Sequence, residues 1–372
     1  MTRLFFLLLA FISVCNMSAA VPAYTDQKID LRSVVYESGD GVSKFYRIPA
    51  IYTMPDGTIV TVADRRLDSN KDLPGRIDVV CRTSNDRGAT WSETSVVAAH
   101  DEGGGYGDPA LGYDPKTGDL VCVFTHGNGL WESVEGDHAF INVSRSSDGG
   151  KTWTAPVDIT PGIFSQKKGE APVHAMTAFA SSGRILTDSK GDMWFVLIAR
   201  PYDQKWPLSC YAVRSTDGGK TWAALPYRVD AAGDESKIVE LKDGRHMMSI
   251  RNKDKGYRKF AYTSDGGQTW TEPVVSTTLA DPACNGDVIA LSDGTLIHSI
   301  PDSHTSRENV SLYTSKDNGE TWEQLAVICP TGSAYSAITP IDDNTIGVLS
   351  EEDSSKGGYR LWFTRVRLDE NK

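Results

Sequence analysis

Arg47, Arg251 and Arg307 lie far apart in the chain, yet each stands beside the start of an apolar run or just past the end of one. A guanidinium group stays charged and grips a carboxylate or phosphate through two parallel hydrogen bonds. Three of them brought together would clamp one small anion. Arg66, Asp72, Glu235, Tyr335 and Glu351 occupy similar positions at the ends of runs. Taken singly, each arginine has a plainer reading as a solvated strand end or the partner of a nearby acid. Whether these groups meet depends on the elements that carry them.

Those elements are announced by a repeat. The pattern Ser/Thr-x-Asp-x-Gly-x-Thr-Trp begins at Ser84, Ser146, Ser215, Thr263 and Ser315, with its aspartates at positions 86, 148, 217, 265 and 317. Asp closes a turn by accepting backbone N–H bonds, Gly permits positive φ, and Trp pins the turn onto an apolar layer. The spacings of 62, 69, 48 and 52 residues mark one structural unit of about fifty residues, used again and again.

Between the repeats lie short runs rich in Val, Ile, Phe and Tyr and bounded by Gly, Asp and Pro, such as 58–63, 120–125, 193–199 and 245–250. They read as strands, and no long amphipathic helical pattern occurs. Six polar turns recur, at 55–57, 116–118, 189–191, 242–244, 292–294 and 342–344, and the first five are each followed by one repeat. The expected fold is all-β, a six-bladed β-propeller of four-stranded sheets. The sixth sheet lacks the repeat, and residues 360–368 with an N-terminal strand near 29–36 would complete it. In a four-stranded antiparallel blade the first and third turns share one end. The polar turns and the repeats therefore occupy one face, and the ionisable residues fall on the other.

Of 372 residues, the first twenty read as a secretory signal peptide: Arg3, an apolar run over 4–14, then Ser18-Ala19-Ala20 for cleavage. This predicts a secreted or periplasmic protein; lipid anchoring at Cys15 is the alternative, although Val14 stands where a small residue is expected. The remainder, residues 21–372, is expected to form a single domain with no membrane-spanning segment. Removing Arg3 takes the net charge from −11 to −12, which argues against nucleic acid as a partner. The five remaining cysteines read as buried thiols with at most one disulfide, and neither they nor the seven scattered histidines have metal-site spacing. No metal or cofactor is expected.

Several segments together carry a family likeness: Phe45-Tyr46-Arg47-Ile48-Pro49, the five aspartate boxes, Gly107-Asp108-Pro109-Ala110-Leu111, Asp234-Glu235-Ser236, Ser306-Arg307-Glu308-Asn309, Ala334-Tyr335-Ser336 and Ser350-Glu351. The chain resembles the exo-α-sialidases (neuraminidases) of the bacterial and animal type over essentially its whole mature length. The resemblance implies that Arg47, Arg251 and Arg307 hold the carboxylate of a sialic acid. It makes Tyr335 the nucleophile, Glu235 its base partner, Glu351 the support of Arg47 and Asp72 the acid/base, with Asp68 the rival for that last role. Arg66 and Asp108 match contacts near the 4-position of the sugar.

The chemistry suits these types, because the reacting anomeric carbon of sialic acid bears a carboxylate that would repel a carboxylate nucleophile. A tyrosine is neutral, but with a pKa near 10 it needs a base. Double displacement with net retention follows, with a tyrosine in place of the carboxylate nucleophile that retaining glycosidases ordinarily use. The expected partner is a sialylated glycan. Trans-sialylation, intramolecular release of an anhydro sugar, cleavage of a deaminated sialic acid, or a non-catalytic glycan-binding propeller are the alternatives. The box tryptophans and Arg258 are expected in packing roles, His126 and His174 as satisfied loop histidines, and Trp131 as a candidate for the pocket wall.

Overall fold

The structure is a computed structural model and describes residues 26–202 and 205–368. The predicted leader over residues 1–20, with Cys15, lies outside the described residues. Within them the chain is β throughout, apart from one 3-10 turn at Thr160–Gly162.

Short antiparallel meanders follow one another. The first runs Phe45–Thr53, Ile59–Arg66, Ile77–Ser84 and Ser95–Ala98; the second Gly105–Asp114, Asp119–Gly127, Ala139–Ser146 and Val157–Asp158. The third comprises Thr177–Ala180, Met193–Arg200, Ser209–Ser215 and Ala223–Asp230, and the fourth Gly233–Glu240, His246–Asn252, Gly256–Thr263 and Val274–Asp281. Asp287–Ala290, Leu296–Pro301 and Glu308–Ser315 begin the fifth, which is completed by the first half of the long strand Glu323–Asp342. The second half of that strand opens the sixth unit, pairing with Thr345–Asp353, itself paired with Tyr359–Arg367. Ile29–Glu37 then adds along Tyr359–Arg367, with Val34 opposite Trp362. The first and last described strands thus share one sheet, which closes the ring as expected.

Neighbouring units pack face to face, so strands such as Met193–Arg200 are buried at every residue. The repeat tryptophans sit in these layers. Trp91 meets Phe363 edge-on at 5.4 Å, and Trp322 stacks on Phe260 at 5.7 Å. Each aspartate ties its own turn: Asp148 Oδ1 accepts from Thr152 N at 2.9 Å and Oδ2 from Thr152 Oγ1 at 2.6 Å, while Ser146 Oγ accepts from Gly150 N at 2.8 Å. At Gly88 the tight packing leaves no room for a Cβ, which would lie 1.9 Å from the Phe363 ring. Cys81, Cys122, Cys210, Cys284 and Cys329 are all buried and unpaired, so the sequence alternative of one disulfide is not formed.

The bonds donated by the box threonines hold Asp86 and Asp148 at a pKa of about 2; at Asp217, also about 2, they outweigh the upward push of burial. Folded pKa values below the unfolded ones mean that this stabilisation is complete above about pH 4 and is lost as pH falls toward about 2. Unfolding temperature is therefore expected to drop through that window, and less steeply in an Asp148→Asn variant. Equal slopes for wild type and variant would refute the assignment.

Register places the boxes and the ionisable residues at opposite ends. In the first unit Phe45 pairs with Arg66 at one end, and at the other Thr53 pairs with Ile59, which in turn faces Ser84 of the box. At the first end the ladder breaks in four units, between Arg47 and Ala50, Gly107 and Ala110, Gly233 and Ser236, and Ser333 and Ser336. Two of these bulges hold a residue before proline at positive φ, Ile48 at 59° and Asp108 at 58°. For a β-branched residue such as Ile48 this is strained backbone, which persists only where its surroundings enforce it.

Candidate active site

Successive residues of a regular strand face opposite sides. The bulges break that rule, so Arg47 and Ile48, and likewise Asp234 and Glu235, are consecutive residues lining one pocket. The pocket encloses about 220 Å³ at the end of the propeller away from the boxes. Asp72, Asp108, Arg251, Arg307 and Tyr335 line it too.

Tyr335 is its centre. The phenol donates to Glu235 Oε2 at 2.5 Å and accepts from Arg251 Nη1 at 3.0 Å. Arg251 Nη1 also forms a close ion pair with Glu235 Oε2. The guanidinium carbons of Arg47 and Arg307 each lie 5.3 Å from the centre of the Tyr335 ring. Three cations from three blades therefore surround one tyrosine. Burial pushes the phenol well above its usual value and the Glu235 charge pushes it further, while Arg251 and Arg307 pull it down. Such a phenol is a nucleophile only while a base takes its proton.

Glu351 lies behind this group, fully buried. It accepts from Arg47 Nε at 2.7 Å and Nη2 at 3.1 Å, and from the backbone N–H of Ile48 at 2.9 Å and of Tyr335 at 3.1 Å. One carboxylate thus orients the arginine, enforces the strained turn at Ile48 and anchors the tyrosine backbone. Burial works against the Arg47 charge, and Glu351 more than offsets it.

Asp72 sits on the loop between the second and third strands of the first unit, with its side chain 78 % exposed. Its Oδ1 lies 2.8 Å from Arg66 Nη1. Arg66 is buried behind it, bonded also to Asp64 Oδ2 and to Asn70 O, each at 2.8 Å, and is not among the residues lining the pocket. Arg66, for which the family likeness implies a sugar contact, here holds Asp72 from behind. Asp68, the rival, is turned outward to Arg76 at 2.6 Å. Asp108 faces the pocket, and its backbone N–H donates to Asp64 Oδ1 at 3.0 Å. Burial, then the charge of its neighbour Asp64, pushes the Asp108 carboxyl well above the usual range, and burial raises Asp64 to about 6.

Several wall residues carried no role in the sequence reading. Lys253 lines the pocket with its Nζ 3.2 Å from Asp234 Oδ2; its place two residues after Arg251 was the available signal. Leu130, Phe179 and Leu208 make an apolar wall from three loop and strand ends, with no periodicity to betray them. Trp131 does line the pocket, and its ring lies 6.1 Å from that of Trp206. Arg258 is fully buried against Asp281 and the Cys284 carbonyl, His126 contacts Asp101, and His174 bonds the Gln166 carbonyl. Among the described residues no group of three or more His, Cys, Asp or Glu is placed to hold a metal ion.

Comparison with known proteins gives the family and the fold. Residues 72–348 match the BNR repeat-like domain. The chain belongs to that family. Within it, a sialidase of Bacteroides fragilis (strain YCH46) is 32 % identical over 90 % of this chain and 64 % of its own length. A sialidase of Micromonospora viridifaciens is likewise 32 % identical, over 89 % of this chain and 52 % of its own. The chain spans between half and two thirds of these curated relatives. Among solved structures, the Hadza microbial sialidase Hz136 superposes with a TM-score of 0.81 at 28 % identity, over 91 % of this chain and 68 % of that one. The likeness to sialidases, which the sequence motifs pointed to, thus extends to the fold. In this chain the boxes build the frame and stand apart from the pocket.

Proposed function

We propose that this protein is a retaining exo-α-sialidase that removes terminal sialic acids from glycans through a tyrosyl–sialyl intermediate. The observation that carries this reading is the Tyr335 phenol, 2.5 Å from Glu235 and ringed by Arg251, Arg47 and Arg307. A lectin site needs cations for an anionic sugar, but it has no use for a buried tyrosine paired with a base.

In this mechanism the arginines bind the substrate carboxylate and offset its charge next to an oxocarbenium-like transition state. Tyr335 attacks the anomeric carbon while its proton passes to Glu235. Asp72 donates a proton to the departing glycosidic oxygen, with Arg66 orienting the carboxyl from behind. Asp72, now a carboxylate, then takes a proton from the water that attacks the anomeric carbon and breaks its bond to the Tyr335 oxygen, and Glu235 returns its proton to Tyr335. Two displacements restore the α configuration.

The deciding experiment incubates the protein with an aryl α-sialoside and follows the products by NMR. First appearance of free α-sialic acid supports the proposal. An anhydro or transferred product would assign another reaction to the same residues, and binding without turnover would leave a glycan-binding propeller. The leader-like first twenty residues support the further proposal that the enzyme acts outside the cytoplasm, testable by N-terminal sequencing of the exported protein.

A further inference from the structure

We infer that Lys237 is a positioning residue for the Tyr335–Glu235 pair, acting through Asn285; the inference rests on the sialidase reading above. Lys237 lies two residues after Glu235 in the same strand, just past the bulge that holds Glu235. It is 2 % exposed. Burying an ammonium is costly, and an apolar side chain of similar length would fill the space more favourably for stability alone. Glycine at position 183 makes the room: a Cβ there would lie 2.9 Å from Lys237 Cε.

The bonding explains what the charge does. Lys237 Nζ donates to Asn285 Oδ1 at 2.7 Å. An ammonium has only donors, so Asn285 must turn its oxygen toward the lysine and its amide N–H groups away. Those groups meet Ser182 Oγ at 3.0 Å and Glu235 Oε1 at 3.4 Å, and Ser182 Oγ itself reaches Glu235 Oε1 at 3.4 Å. One oxygen of Glu235 is thereby held from behind, and the other is presented to Tyr335 and Arg251.

Other charged and titratable groups around Lys237 already have partners. Asp287 is gripped by Arg184 at 2.9 and 2.7 Å and by the backbone N–H groups of Val288 and Ile338. Arg258 is bound to Asp281, and His298 to Ser249. Burial lowers the Lys237 pKa to about 8, with Asp287 and Glu235 favouring the charge and Arg258 and Arg184 opposing it.

The test uses the full chain with Lys237→Met, Asn285→Ala and the double variant, assayed on an aryl α-sialoside. Each single change is expected to lower kcat on the order of 10²-fold, with KM within about threefold of wild type. The double variant should be no worse than Asn285→Ala, because the lysine acts through that amide. Wild-type kcat in Lys237→Met, or multiplied losses in the double variant, would overturn the inference. If Lys237→Met does not fold, Asn285→Ala decides alone: an unchanged kcat is fatal. A wild type without turnover would defeat the functional reading separately. In that case a crystal structure of Lys237→Met decides, since a Glu235–Tyr335 contact left at its present distance refutes the role and a displaced Glu235 supports it.

Discussion

Replacing Tyr335 by Phe is expected to lower kcat by roughly 10³- to 10⁶-fold while leaving KM and the fold nearly intact. The phenol oxygen is the group that attacks, and Phe keeps the ring on which the Arg47 and Arg307 guanidinium groups lie, so the anion clamp survives. Glu235 loses one donor but keeps its ion pair with Arg251 and its contacts with Ser182 and Asn285. The stability cost is then that of the two hydrogen bonds of the phenol, to Glu235 and from Arg251, about 1–3 kcal/mol. Steady-state kinetics on an aryl sialoside, with a thermal melt as control, separates the two effects. A kcat within about tenfold of wild type would remove Tyr335 from the mechanism.

Glu351→Ala is expected to damage stability and activity together. The substitution leaves a buried guanidinium without its counter-charge and strips two backbone N–H groups, of Ile48 and Tyr335, of their acceptor. Breaking one side of a buried ion pair typically costs about 3–5 kcal/mol. The Ile48 turn, at φ 59°, also loses the group that enforces it. Arg47 and Tyr335 should both shift, raising KM and lowering kcat, in contrast to the kcat effect of Tyr335→Phe. Urea unfolding read beside kinetics checks this. An unchanged midpoint would mean that Glu351 is not the support that its four bonds describe.

Much of the frame was legible because its rules are local. The boxes rest on bonds spanning two to four residues, as from Thr152 to Asp148, so their composition is written in adjacent positions. Strand length, turn chemistry and the order of units follow from the same short-range rules, and so did the return of residues 29–37 to the final sheet. Knowing which end of each strand a residue occupies was enough to place Arg47, Glu235, Arg251 and Glu351 on one face.

Convergence on Tyr335 was decided by the tertiary structure alone. Arg47 meets Glu351 across 304 positions, and Tyr335 meets Glu235 across 100, distances that mean nothing until the ring has closed. The bulges that turn consecutive residues into one pocket are backbone events, which no alternation of residue types records. Arg66 is a case in point: only the fold brings Asp64, Asn70 and Asp72 around its guanidinium. Lys237 shows the converse, a charge without a role in the sequence reading that the fold buries against Asn285. Residue types determined the chemistry available; long-range packing determined which groups face one another to use it.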